Sequence, residues 1–305
     1  MKLIKHATTY KCQLPPATAL EQHLAEHAFT DVRPDEIRAL GFVPVMDDRY
    51  VLPYPGGYAF KLRFDEKILP WSIVNEEARK RLDVLIAETG GNPTKQLKNK
   101  FVEEVYSEFV KTALVKSARI TAYYQIDEQM LLVATTGKRF ADALTNRLVK
   151  AVGSIKATTI YINGITQSLT EKLHRELEGG DGFAGFDVGG VCKLAGENGT
   201  SASVKLDSVK EAKEGIVERI RGGQQVVELE LHNDDVSFRL DKRFVSKGIF
   251  FKHDPGEDGF EASDDIEAFQ HEASCQMLWL THAFRDLLTL FEYQLPELAG
   301  DGGAP

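Results

Sequence analysis

The stretch LRFDEKILPWSIVNEEARKRL, residues 62–82, changes its hydrophobic period within a single break. Leu62 and Phe64 alternate with Arg63 and Asp65, as in a strand half buried on one face. After Ile68-Leu69-Pro70 the apolar positions Val74, Ala78, Leu82, Leu85 and Ile86 recur at helical spacing, which predicts a helix over about 72–88. Gly90-Gly91 supplies a left-handed stop. Asn92-Pro93 reads as an N-cap followed by proline at the first helical position. A second helix is expected to run to about 116, on an apolar stripe from Leu97 through Phe101, Val105, Phe109 and Leu114. A strand therefore leads into a helical hairpin whose short connection projects from the body.

Outward from this stretch the pattern is mixed. Residues 2–12 read as a strand, Pro15-Pro16 breaks it, and 17–28 form a helix with Leu20, Leu24 and Ala28 on one face. Extended segments lead to a strand over 57–64. After the helical hairpin, RITAYYQI (119–126) and MLLVATT (130–136) form a β-hairpin turning at Asp127-Glu128. A helix over 138–152 follows, then a strand in ATTIYI (157–162). Ser168 and Glu171 have the spacing of a capping box for a helix to about 178. The strands flanking the hairpin are expected to share one sheet, with the hairpin inserted between them.

The Gly-rich segment 178–190 marks a boundary. Beyond it lie a hairpin around 196–200, a helix over 209–221, and a meander of QQVVELEL, DVSFRL and FVSKGIFF. A long helix over 264–293 closes the pattern, so rich in apolar residues that it belongs in a core or at a subunit interface. The fold class is α+β in three parts. A central α/β part takes 1–71 plus 117–178, a helical tip 72–116, and an α+β base 179–300.

The chain has 305 residues, 43% hydrophobic and 27% charged, which suits a globular protein with real cores. No apolar run reaches ~18 residues, so no membrane span is expected, and the start lacks a secretory h-region. Three widely spaced cysteines, Cys12, Cys192 and Cys275, argue against a disulfide framework or a zinc site. Net charge is −9, which by itself disfavours a nucleic-acid partner. Residues 254–272, however, hold eight acids and no Lys or Arg, so the remainder is close to neutral. Residues 95–119 carry six bases against three acids. A near-neutral body with a basic face and a segregated acidic segment is the pattern.

Motifs for catalysis are weak. His23, Glu26 and His27 match an H-x-x-E-H zinc-protease spacing on a predicted helix, without a third ligand or site context. There is no phosphate-cradling G-x-x-x-x-G-K-[ST] and no G-x-S-x-G. The acids of 254–272 sit in a Gly-rich linker and a helix start, where they favour the helix dipole. An enzyme, a metal or a cofactor is not expected. Lys95, Lys98 and Lys100 are placed at one end of the second tip helix, and Lys111, Lys116 and Arg119 at its far end. With Lys61, Arg63, Lys67, Arg79, Lys80 and Arg81 they form a candidate stripe for phosphates.

An ordered set of stretches narrows the reading. FTDVRPDEIRALGFVPVMD (29–47), DEKILPWSIVNEEA (65–78), KNKFVEEVYSEF (98–109), IDEQMLLVATTGKRFADALTNRLVKAVGSI (126–155) and GGQQVVELEL (222–231) together resemble the RdgC family of bacterial recombination-associated proteins over about 1–290. The resemblance implies a soluble, cytoplasmic, nucleoid-associated homodimer closed into a ring. Double-stranded DNA passes through a basic hole without sequence preference, restraining the RecA recombinase, with no cofactor and no catalysis. It further implies DNA contact by Lys205 in the base, where a family Lys-Gln pair becomes Lys205-Leu206. At the tip it places Ala118 where an aromatic residue would dock in the partner and close the ring. The expected DNA-binding set is Lys95, Lys98, Lys100, Lys116, Arg119 and Lys205. A second reading is a protein-interaction module acting through 254–272, and a third is a metal-dependent nuclease.

Overall fold

A computed structural model describes residues 3–153, 158–160, 162–255 and 259–294. Its elements run in chain order as β1 (His6–Lys11), α1 (Ala17–Glu26), β2 (Arg38–Val43), β3 (Val51–Tyr54), β4 (Gly57–Lys67), α2 (Trp71–Thr89), α3 (Lys95–Thr112) and β5 (Val115–Gln125). Then come β6 (Met130–Val133), α4 (Lys138–Val152), β7 (Thr158–Thr159), α5 (Ile165–Leu177), β8 (Asp187–Ala195) and β9 (Ser201–Lys205). A 3-10 turn (Val209–Ala212), α6 (Lys213–Arg221), β10 (Gln225–His232), β11 (Val236–Asp241), β12 (Val245–Phe251) and α7 (Asp265–Leu290) complete the order.

All twelve strands join one antiparallel sheet in the order β2-β4-β5-β6-β1-β12-β11-β10-β8-β9, with β3 beside β4 and β7 beside β1. The central and base parts read from sequence are thus continuous through the β1–β12 pair. The strands flanking the helical hairpin do share this sheet. β4 and β5 pair residue by residue from Gly57↔Gln125 to Lys67↔Val115. The Ile68 N–H donates to the Leu114 carbonyl at 2.7 Å, closing the ladder where α2 leaves and α3 returns.

Successive strand residues point to opposite faces, and the helices divide between them. On one face, α1 and α4 bury Leu20, Leu24, Ala141, Leu144 and Leu148 against Tyr10, Phe42, Phe60, Leu62 and Ile120. On the other, α5, α6 and α7 cover Leu132, Leu194, Leu229, Phe238 and Leu240. The long helix α7 is core, burying Phe269, Ala273, Met277, Leu280, Phe284 and Leu287. α7 also packs on β3 and β5, so the central half is partly covered on its second face, whereas the face of the base opposite these helices is uncovered.

Several boundaries differ from the sequence reading. Thr94, not Asn92, caps α3, its side chain accepting from the Leu97 N–H at 3.2 Å. α3 stops at Thr112 rather than 116, because ladder bonds to β4 compete for the following residues. α5 begins at Ile165, so Ser168 lies inside it and caps nothing. Part of the ATTIYI strand (157 and 161), part of the acidic segment (256–258) and the end of the base (295–300) lie outside the described residues.

The uncovered face of the base is held by ions. Glu228 is 4% exposed although no helix covers it. Lys193 and Lys247 approach it at 2.8 Å and Arg239 at 3.7 Å, their stems shielding the carboxylate. Lys247 also reaches Asp241 at 3.0 Å. A bulge at Gly248 (φ +60°) permits this, since it lets Ile249 turn into the core while Lys247 keeps facing out. Burial pushes the carboxyl of Glu228 up, but hydrogen bonds from Lys193 and Lys247 outweigh it and leave the group below its ordinary value. Asp241 is likewise lowered, burial being outweighed by Lys247 and by the Arg243 and Val245 N–H groups. Carboxyls lowered in this way stabilise the fold above their unfolded pKa, near 4, and cease to do so as pH falls through the folded value. Lys247→Met should cost roughly 1–3 kcal/mol at pH 7, less than a fully orphaned buried pair because Lys193 and Arg239 remain. Urea titrations should show that gap narrowing below about pH 4; a gap that widens on acidification would refute this account.

Candidate nucleic-acid interface

The tip has a small core of its own. Val74, Ala78 and Val105 are fully buried, with Leu69, Phe101, Val102, Tyr106 and Phe109 packed around them. Most of the cations on α2 are neutralised within the tip. Lys80 pairs with Glu76 at 2.9 Å, and Arg81 with Glu77 at 3.0 Å and, across the hairpin, with Glu108 at 2.8 Å. Lys100 lies 3.7 Å from Glu104. Lys95 and Lys98 are exposed on the first turn of α3 and form no ion pair among the described residues. They stand about 26 and 21 Å from the helix's far end, at 1.5 Å per residue.

At the root of the tip the sequence reading needs correction. Lys116 and Arg119 are not on a helix but on β5, and an odd spacing in a strand sends them to opposite faces. Lys116 sits in the cross-strand row Arg38–Glu66–Lys116, on the α4 side. Arg119 sits in the row Gly41–Arg63–Arg119, on the other side. There Arg63 is spent on Asp65, with a bidentate pair at 2.9 and 2.7 Å, and stacks its guanidinium 4.2 Å from the Phe29 ring centroid. Lys61 donates to the Val45 carbonyl at 2.8 Å; burial first, then Arg119, lowers its pKa. Lys67 is buried, donating to the carbonyls of Arg33 and Pro34. On the strands at the root of the tip, Lys116 and Arg119 remain exposed and without an ion pair among the described residues.

Ala118 is half-buried in mid-strand opposite Phe64, with no side chain to project. The projecting apolar group lies four residues earlier. Leu114 is 78% exposed, beside exposed Ile68 and Val115 and near Trp71, which stacks on Tyr106 with ring centroids 5.1 Å apart. The sequence reading had placed Leu114 inside the hairpin stripe.

Lys205 ends β9, exposed and opposite Val191, far along the sheet from the tip. The single chain thus does not gather the expected cations into one patch; they lie at the tip, at its root and in the base. The acidic segment is partly occupied with capping. Asp264 accepts from the Glu267 N–H at 2.7 Å, and Glu267 accepts from the Ser263 N–H and hydroxyl. α1 ends at Glu26, and His27 caps it with Nδ1 3.0 Å from the His23 carbonyl, so the H-x-x-E-H spacing makes a helix end. Among the described residues no group of three or more His, Cys, Asp or Glu is placed to hold a metal ion. No described helix is long and apolar enough to cross a membrane.

An α+β architecture with dispersed surface cations and a projecting helical tip defines a class only broadly. Comparison with known families narrows it. The family described as "Putative exonuclease, RdgC" matches residues 3–294, and the chain belongs to this RdgC family. Among curated relatives, the Recombination-associated protein RdgC of Colwellia psychrerythraea is 25% identical over 257 residues, covering 82% of each chain. That of Pseudomonas putida is 24% identical over 297 residues, covering 95% of each. That of Neisseria meningitidis serogroup C is 23% identical over 242 residues, covering 78% of this chain and 80% of the relative. The relatives are named for recombination and not for an enzymatic activity, whereas the family description names an exonuclease.

Proposed function

We propose that this chain is a sequence-nonspecific double-stranded DNA-binding protein that acts in recombination by limiting the access of a RecA-type recombinase. The observation that carries the reading is the division of its cations. Arg63, Lys67, Arg81, Lys193 and Lys247 are committed to internal carboxylates or carbonyls. Lys95, Lys98, Lys116, Arg119 and Lys205 are exposed and unspent. Dispersed cations suit a backbone of evenly spaced phosphates, which offers charge but no sequence. The relatives' names connect the family to recombination, and a DNA-coating protein would hinder a recombinase without any catalytic step.

Dispersal also favours a dimer. Two copies arranged as a ring would bring cations from tip and base around one duplex in the cytoplasm, at the nucleoid. In this arrangement the tip contact falls to the exposed Leu114, Ile68 and Trp71 cluster rather than to Ala118. A central, desolvated apolar anchor at such a contact contributes about 2 kcal/mol or more. The acidic segment 254–272 is secondary here, since three of its acids serve the start of α7.

Binding should weaken steeply with salt, at about 0.9 logarithmic units per phosphate contact. Lys98→Glu with Lys205→Glu should weaken binding to unrelated duplexes by a common factor and flatten the salt slope by about two units. Fluorescence anisotropy at several salt concentrations decides it; wild-type binding that ignores salt would sink the reading. Leu114→Asp should raise the dimer dissociation constant by roughly 30-fold or more. Sedimentation of a variant with an unchanged melting curve checks this, and an undisturbed dimer would remove Leu114 from the contact.

A further inference from the structure

α4 buries Ala141, Leu144, Leu148 and Ala151, and its remaining surface forms one wall of a groove with the β2 edge. The groove is lined by Arg38, Lys138, Arg139, Arg147 and Lys150, with Asp142 its one lining acid among the described residues. Arg139 is held in place from two sides, its guanidinium 4.9 Å from the Phe64 ring centroid and paired with Glu66. Arg38, Lys138 and Lys150 are exposed and make no ion pair among the described residues. The Nε of Arg147 is buried without a hydrogen-bond partner. Five cations thus face two carboxylates, on a chain whose net charge is −9.

The arrangement works against the helix that carries it. The first turn of α4 holds Lys138 and Arg139 and no acid, and its N-cap Gly137 offers no side-chain cap. Cations there oppose the helix dipole. Packed like charges and an unsatisfied guanidinium nitrogen add further cost. An anion in the groove would relieve the first two. Its shape says which anion. Lys138 to Lys150 spans about 18 Å of helix at 1.5 Å per residue. That is the axial length of about five base-pair steps at 3.4 Å rise, longer than any mononucleotide. The row Arg38–Glu66–Lys116 brings Lys116 to the end of the same groove.

We propose that the groove between α4 and β2 is a track for one phosphodiester strand of duplex DNA, with Lys138, Arg147 and Lys150 as its contacts. The proposal rests on the DNA-binding reading above and assigns it a surface that the expected residues Lys95, Lys98, Lys100, Arg119 and Lys205 do not form.

The test uses the full chain and a 30-base-pair duplex, about the length of three helical turns. Amine-reactive labelling of the wild type, read by mass spectrometry, should show Lys138 and Lys150 protected by the duplex. Lys138→Gln with Lys150→Gln should weaken binding about tenfold or more at moderate salt and flatten the salt slope by about two units, with the circular dichroism spectrum unchanged. Inorganic phosphate or a mononucleotide should compete poorly. Wild-type binding with full reactivity at both lysines and a normal double variant would overturn the track while leaving the DNA-binding reading standing. Potent competition by a mononucleotide would make the groove a small-anion site and also overturn it. Failure of the wild type to bind any duplex would overturn the reading and the track together.

Discussion

The eleven-residue ladder between β4 and β5 is the constraint on which the rest of this structure depends. It extends the central sheet, and it fixes the two ends of the tip where α2 departs and α3 returns. Because the ladder is antiparallel and unbroken from Gly57 to Lys67, the tip cannot shift register without turning Leu62, Phe64 and Ile120 out of the core. The same ladder sorts the cations at the root of the tip, sending Lys116 to the α4 face and Arg119 to the other. The uncommitted charge of this near-neutral body is therefore distributed by strand alternation.

Charge is managed by two different means on the uncovered face of the base and in the groove beside α4. In the base, Lys193, Arg239 and Lys247 converge on the buried carboxylates of Glu228 and Asp241 and so stabilise an unroofed sheet. Beside α4, cations converge with few carboxylates among them. The first arrangement is complete without a ligand, whereas the second gains from one. This contrast, more than total charge, separates cations that hold the fold from cations available to phosphate. It also explains how a chain of net charge −9 can be read as a DNA-binding protein.

Much of the fold was legible from local period. The switch from alternation at Leu62 and Phe64 to helical spacing at Val74, Ala78 and Leu82 located the tip and its insertion between paired strands. The apolar richness of 264–293 marked α7 as core or subunit interface, and its buried face makes it core. Less was legible where tertiary bonds decide. Thr94 and Asn92 both have cap chemistry, and only the backbone path selects Thr94. The end of α3 is set by ladder bonds from β4, which a helical stripe through Leu114 does not reveal. The site was less legible still, because exposure and pairing are properties of neighbours distant in sequence. Arg63 and Lys116 are alike as sequence, yet one is locked to Asp65 and the other is not. The α4 cations were visible as a helix whose polar positions are mostly basic, a signal that gains meaning only once Arg38 is seen across the groove.

The central claim is that two copies of this chain enclose a duplex and hold it by backbone charge. Its most direct measurement is the rate at which the protein leaves covalently closed circular DNA compared with linear DNA of equal length and sequence. Enclosure predicts distinctly slower release from the circle, because a linear molecule has ends to slide off. Equal release rates at every salt concentration would contradict it.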